Sequence, residues 1–266
     1  MKIGFTFSGG GARGFAHLGV AQAFYEHDIR PDVISGTSAG AIAGAFLAAG
    51  YLPKRTFEII SEINFLKYFR PAISISGLIK LEKISTLLLD YFPDNTFQSL
   101  ELPLTIAAVN YTKGEITYYT EGELIKPMLA SASIPVVFDP IEINGDKMID
   151  GGVMNNLPAK IIRNEVDYLI GVNCNPVAKE SNENGMKGML ERVLLMAINY
   201  NTNDHKQYCD LFIEPTALET YKVFSLSKAE EIYNIGYEHT TQLLAQRPEI
   251  IATLKSEMRT KIGQAQ

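Results

Sequence analysis

Cysteine and histidine are both scarce in this chain. Its 266 residues include two cysteines, Cys174 and Cys209, too few for a disulfide framework. Neither stands at metal-ligand spacing from a histidine or an acid, so neither reads as part of a metal site. Cys174 lies in an apolar run, which predicts a reduced, buried thiol. Only four histidines, His17, His27, His205 and His239, are available for an imidazole role. No run of about 20 apolar residues occurs, which excludes a membrane-spanning helix. Ile3-Gly4-Phe5-Thr6-Phe7 is too short an apolar run for a signal peptide and lacks a cleavage motif. A basic excess is missing too: 24 Lys and Arg face 30 Asp and Glu, for a net charge of −6. That argues against a nucleic-acid binder, which would carry a basic patch or stripe. These absences predict a soluble, cytoplasmic protein, and leave open contact with a membrane surface through apolar residues.

What is present is a core. Hydrophobic residues make up 46% and charged residues 20% of the chain, which excludes wholesale disorder. No internal repeat, low-complexity tract or linker divides it, so one domain over 1–266 is expected. Strand and helix signals alternate from the start. Lys2 to Phe7 reads as a strand, Ser8 to Gly14 as a glycine-rich turn and Phe15 to His27 as a helix. Asp32 to Ser35 is a short strand and Ala39 to Ala49 a helix of small residues. This βαβα order predicts an α/β fold with a parallel sheet and helices on its faces.

Leu52 to Phe97 is irregular and helical, rich in aromatics. Leu104 to Asn110 and Glu115 to Thr120 read as a hairpin, and Ile141 to Ile143 with Lys147 to Ile149 as a second, turning at Asn144-Gly145. Leu124 to Ala132 is a predicted helix. Asp167 to Asn173 is an apolar run suited to a doubly buried strand. Beyond it come a polar loop around Ser181 to Gly185, a helix from Gly188 to Tyr200, a strand from Leu211 to Glu214, and two helices from Lys228 broken at Pro248.

Three short motifs carry chemistry. In Gly36-Thr37-Ser38-Ala39-Gly40, a serine between strand and helix can be forced into a tight turn that projects its hydroxyl. Small neighbours let strand and helix approach, and the helix N-terminus favours negative charge nearby. The plain alternative is a packing turn whose serine caps the helix. Ser8-Gly9-Gly10-Gly11-Ala12-Arg13-Gly14 supports two readings. Gly9-x-Gly11-x-x-Gly14 fits a dinucleotide fingerprint, but the acidic residue that fold wants would be Asp32, at the wrong end of its strand. The favoured reading is an oxyanion hole, because both turns emerge at one edge of a parallel sheet. In Ile149-Asp150-Gly151-Gly152, a carboxylate ends a strand and two glycines let another backbone come close. A carboxylate within reach of a serine hydroxyl can accept its proton.

A base must also be chosen. The order Ser38, Asp150, then His205 or His239 matches an α/β-hydrolase triad, yet that fold needs several strands before its nucleophile. Both late histidines read as solvated helix surface, and His17 as structural.

Together, Gly9-Gly10-Gly11-Ala12-Arg13-Gly14, Gly36-Thr37-Ser38-Ala39-Gly40 and Asp150-Gly151-Gly152 resemble the patatin-like phospholipase family, in that family's order. Ala130-Ser131-Ala132-Ser133-Ile134-Pro135 resembles its further block before the aspartate. Gly14-Phe15-Ala16-His17-Leu18-Gly19-Val20 is similar to bacterial members and to the catalytic domain of neuropathy target esterase. The motif core covers about 3–173, with a helical part over 186–266.

The resemblance implies a three-layer α/β/α fold with a largely parallel sheet, and hydrolysis of acyl esters of lipids without a cofactor. Carried over by position, Ser38 is the nucleophile, Asp150 the general base, and Gly9, Gly10 and Gly11 the oxyanion hole, with Arg13 orienting that loop. Gly14, Gly36, Gly40, Gly151 and Gly152 support the turns. The fourth block departs from the family by continuing Pro135-Val136-Val137-Phe138, so no chain-length preference is inherited. Phe65, Leu66, Tyr68, Phe69, Ile73, Ile75, Leu78 and Ile79, with Met186, Met189, Leu190, Leu194 and Met196, read as core or as an acyl-site cover. The competing functions are a dinucleotide-binding protein and a non-catalytic lipid-binding regulator on the same scaffold.

Overall fold

A computed structural model describes residues 1–63, 84–135, 137–177, 185–223 and 226–263. Among the described residues eight strands form one sheet: β1 (Ile3–Phe7), β2 (Val33–Thr37), β3 (Leu104–Asn110), β4 (Glu115–Tyr119), β5 (Ile141–Ile143), β6 (Asp146–Asp150), β7 (Tyr168–Val172) and β8 (Leu211–Ile213). Pairing runs β5-β6-β3-β2-β1-β7-β8, with β4 also on β3. The β8, β7, β1, β2 and β3 strands are mutually parallel, while β4, β5 and β6 add antiparallel rungs. Every residue of β1 and β2 is buried, as expected of strands covered on both faces.

Strand alternation sends neighbouring side chains to opposite faces, and each face has its own helices. Ile3, Phe5, Phe7 and Ile34 join the main core with α1 (Phe15–Tyr25) and α2 (Ala39–Ala48). Val33 and Leu169 instead pack on the other face with Leu157, Ala159 and Ile162, where the short α5 (Ala159–Ile162) lies. The sheet is thus a middle layer between helices. The helix α1 is apolar almost all round because α7 (Ala229–Gln246) covers its outer side.

Further helices among the described residues include α3 (Pro53–Ile63), α4 (Ile125–Ser131), α6 (Gly185–Lys206) and α8 (Pro248–Gly263). Pro248 opens α8, a position where its missing N–H costs nothing. Asn144 and Gly145 both have positive φ, 53° and 84°, as a two-residue turn between β5 and β6 requires. The α6 helix is longer than its apolar pattern predicts. Its last turns, Asn201 to Lys206, are polar residues held by tertiary bonds. Of the residues expected to line an acyl site, Phe65 to Ile79, Val136 and the side chains of Met186, Leu190 and Leu194 lie outside those described; so does most of the expected polar loop, Ser181 to Asn184.

Register brings two strand ends together. Ile106 to Asn110 pair with β4 along one edge of β3, so β2 and β6, which pair with overlapping residues, must share the other. There β2 ends with Thr37 opposite Ala107, and β6 arrives from the opposite direction with Asp150 opposite Ala108.

Candidate active site

Ser38 follows directly on that meeting point. Its backbone has φ 53° and ψ −121°, a conformation that costs a non-glycine residue roughly 1–3 kcal/mol and recurs at functional turns. It does not cap α2: its side chain makes no bond to that helix. Instead Ser38 and Asp150 line one cavity, and the Ser38 hydroxyl is near enough to pull the Asp150 carboxyl downward. The turn is tight because α2 presses on β1. A Cβ on Gly40 would lie 2.4 Å from the Phe7 carbonyl oxygen and 2.5 Å from that of Ser8, so no larger residue fits. Gly36 packs on Gly40, Gly14 on Ala39, and Gly151 on the Ala107 carbonyl.

Asp150 is buried, only 6% exposed, and Oδ1 accepts from the Gly152 N–H at 2.7 Å. Burial pushes its carboxyl up to about 6, against the opposing pull of the Ser38 hydroxyl and the Gly152 N–H. The fourth motif block holds both residues. Ser131 Oγ accepts from the Ser38 N–H at 2.8 Å and donates to the Ala107 carbonyl at 2.6 Å. The Asp150 N–H donates to the Ser133 carbonyl at 2.9 Å.

The glycine-rich loop stands beside the serine, with a Cβ on Gly9 reaching within 3.1 Å of Ser38 Cβ. The expected donor set needs one correction. The Gly9 N–H is already bonded to the Asn156 carbonyl at 3.1 Å, whereas those of Gly10 and Gly11 have no acceptor among the described residues. Arg13 is bonded both to the loop and to segments beyond it. Its N–H bonds the Gly10 carbonyl, and its guanidinium bonds the carbonyls of Tyr221 at 2.7 Å, Pro176 at 3.4 Å and Glu219 at 3.5 Å. It ties the loop to distant segments.

Two cavities meet at Ser38 and Gly11. One, of about 100 Å³, is lined by Phe15, Leu18, Ile42, Ile60, Phe138 and Leu226 among others and is almost wholly apolar. The other, of about 50 Å³, is bounded by Asp150, Asn156, Asn175, Leu195 and Ile198. The asparagines are the residues that motif reasoning missed. Asn155-Asn156 and Asn173-Cys174-Asn175 do stand just past strand ends at the sheet edge where α/β sites form, which is the one signal available.

The histidines fall elsewhere. His17 is fully buried with Nε2 2.7 Å from the Ser8 carbonyl, and burial lowers its pKa to about 4. His205 and His239 are half-buried rather than solvated, and neither lines the two cavities. The nucleotide reading loses its acid as well: Asp32 Oδ2 accepts from the Ile3 N–H at 2.7 Å, at the opposite sheet edge. Cys174 is reduced and buried, its thiol pushed up to about 11 by desolvation. Among the described residues no cluster of three or more metal-binding side chains occurs, and no helix is long and apolar enough to cross a membrane.

A family model described as patatin-like phospholipase matches residues 5–162. An uncharacterized NTE family protein of Mycobacterium tuberculosis is 32% identical over 177 residues, which are 65% of this chain and 49% of that protein. Patatin-like phospholipase domain-containing protein 7 of Rattus norvegicus is 25% identical over 280 residues, 89% of this chain and 20% of its own. Lysophospholipase NTE1 of Meyerozyma guilliermondii is 23% identical over 290 residues, 91% of this chain and 19% of its own. The chain therefore spans half or less of the length of these relatives. VipD from Legionella pneumophila shares the fold, with a TM-score of 0.53 and 16% identity over 92% of this chain and 67% of that one.

Proposed function

The chain belongs to the patatin-like phospholipase family, and from that premise we propose that it is a serine hydrolase of lipid acyl esters working through a Ser38–Asp150 dyad. The observation that carries the proposal is the placement of the strained Ser38 beside the buried Asp150, at adjacent rungs of β3 and on one cavity. The names of two relatives, a lysophospholipase and a phospholipase-domain protein, support lipid esters as the substrate class. The proposal treats residues 1–266 as one hydrolase domain.

Asp150 accepts the Ser38 proton as Oγ attacks the ester carbonyl carbon, and the carbonyl electron pair moves onto oxygen. The N–H groups of Gly10 and Gly11 hold that oxyanion, and a donor of this kind is worth about 3 kcal/mol of barrier. Collapse expels the alcohol, which takes the proton from Asp150 and leaves an acyl-enzyme. Water then attacks the acyl carbon, giving its proton to Asp150. The second collapse releases the fatty acid and returns a proton to Ser38. The acyl chain occupies the apolar cavity beside Leu18 and Ile42.

Peripheral contact with a lipid surface belongs to the same reading. Met189, Val193, Met196 and Tyr200 are all more than half exposed and recur along one outward face of α6, while Leu195 and Ile198 face the cavity. A helix apolar on both sides, beside the site, suits delivery of an apolar substrate.

The test is hydrolysis of a short nitrophenyl ester together with labelling by a fluorophosphonate. Ser38→Ala and Asp150→Asn should each abolish hydrolysis in folded protein, and Ser38→Ala should also abolish labelling. Activity retained in either variant rules out the dyad. A chain that binds lipid vesicles without hydrolysing or labelling is a lipid-binding regulator instead.

A further inference from the structure

The peptide between Gly9 and Gly10 is held from behind. Its carbonyl oxygen accepts from Asn175 Nδ2 at 2.5 Å, from Ser8 Oγ at 2.9 Å and from Cys174 Sγ at 3.4 Å. No peptide bond here is cis, and in a planar trans unit the N–H points opposite to the carbonyl. Fixing the Gly9 carbonyl toward Asn175 Nδ2 therefore fixes the direction of the Gly10 N–H, and Gly10 and Ser38 line the same cavity. Gly10 can sit flush on these partners because it lacks a side chain: a Cβ there would fall 2.4 Å from Cys174 Sγ.

Asn175 is itself anchored. Its N–H donates to Asn173 Oδ1 at 3.2 Å, and its carbonyl accepts from Asn199 Nδ2 on α6 at 3.3 Å. The side chain is 1% exposed, yet Oδ1 has no hydrogen-bond partner among the described residues. An unpaired buried amide oxygen is a cost to folding. A residue present only to fill space would avoid it, so the NH₂ end must be what the site needs. The amide cannot be turned over, because Oδ1 would then face the Gly9 carbonyl. Asn175, Asn199 and the α6 helix all lie beyond residues 5–162, the stretch matched by the family model.

We infer that Asn175 is a positioning residue for the oxyanion hole, setting the orientation of the Gly9–Gly10 peptide so that the Gly10 N–H meets the developing negative charge. The inference rests on the proposed hydrolase. It assigns part of the site to the region outside the family match: α6 holds Asn175, and Asn175 holds the donor.

The experiment compares wild type with Asn175→Asp, which keeps the shape but removes the donor, and Asn175→Ala, using nitrophenyl butyrate as substrate and a short-chain alkyl trifluoromethyl ketone as the probe. The ketone forms a tetrahedral oxyanion on the serine, so its affinity reads the hole directly. Both variants should lower kcat by about 10- to 100-fold, below or at the edge of what losing a direct donor costs. KM should stay within about twofold, and ketone affinity should fall by the same factor as kcat/KM. Thermal melting checks the fold, and Asn175→Asp decides if Asn175→Ala does not fold. Wild-type kcat in the variants, or a loss of kcat with ketone affinity unmoved, overturns the inference while the hydrolase stands. Hydrolysis that survives Ser38→Ala overturns both.

Discussion

Ser38 and Asp150 meet because Thr37 faces Ala107 and Asp150 faces Ala108, adjacent rungs on the same edge of β3. One strand of the sheet thus serves as a ruler for two partners arriving from opposite directions. The β2 strand delivers the serine from a parallel βα unit, and β6 delivers the carboxylate from an antiparallel hairpin. A slip of one residue in either pairing would turn every side chain of that strand to the other face. Ser131 reinforces the junction by bonding both the Ser38 N–H and the Ala107 carbonyl.

The first prediction concerns pH and rate. Asp150 must be ionised to accept the serine proton, and burial raises its carboxyl from 3.8 to about 6. The value of kcat/KM for a neutral ester should therefore climb with pH, about tenfold per unit below 6, and level off above it. A profile that is flat between pH 5 and pH 8 would argue against a carboxylate base at this position.

Ser131→Ala should weaken both stability and catalysis. The change leaves the buried Ser38 N–H and Ala107 carbonyl without their shared partner, which costs about 1–3 kcal/mol. It also frees the backbone on which the serine is poised, so kcat should fall about tenfold with KM little changed. Urea midpoints and steady-state rates check the two halves independently.

Strain at Ser38 is separable from its chemistry. Ser38→Ala keeps a side chain on a backbone at φ 53° and ψ −121°, whereas Ser38→Gly does not. Both lose the hydroxyl beside Asp150, so their difference reads the strain. Ser38→Gly should unfold at higher urea than Ser38→Ala, by about 1–3 kcal/mol. Equal midpoints would mean that the turn stores no strain.

The parts of this site that were legible in the sequence are those encoded locally. Alternating strand and helix signals mark β1, α1, β2 and α2, and Asn144-Gly145 marks the hairpin that carries Asp150. Small residues at 36, 39 and 40 mark the elbow. Groups whose role depends on pairing across the chain were not legible. The N–H of Gly9 looks like its neighbours until Asn156 is found to accept from it. Asn175 is one of many asparagines until the fold sets it against the Gly9 carbonyl. The end of α6 was missed for a related reason. Asn201, Thr202 and Asn203 are weak helix formers, and what keeps the helix going is the bonding of Asn201 to Gly152 and Asn156 and of Thr202 to Asn156.

Two buried groups should pull the stability curve in opposite directions. His17 has a folded pKa of about 4 against an ordinary value of 6.5, so between these values the unfolded chain binds the extra proton. Its contribution is present above pH 6.5 and is lost as pH falls through 4. Asp150 has a folded pKa of about 6 against 3.8, so in its window the folded chain binds the extra proton. Its contribution is present below pH 3.8 and is lost as pH rises through 6. Each shift of about two units corresponds to about 3 kcal/mol. Relative to wild type, Asp150→Asn should gain stability as pH rises from 4 to 7, because the neutral amide escapes the cost of burying a charge. His17→Gln should instead hold its stability better than wild type as pH falls from 7 to 4. Urea denaturation at pH 4, 5.5 and 7 reads both slopes. Parallel curves for wild type and Asp150→Asn would show that Asp150 ionises as easily folded as unfolded, and the carboxylate would then be no stronger a base than one in water.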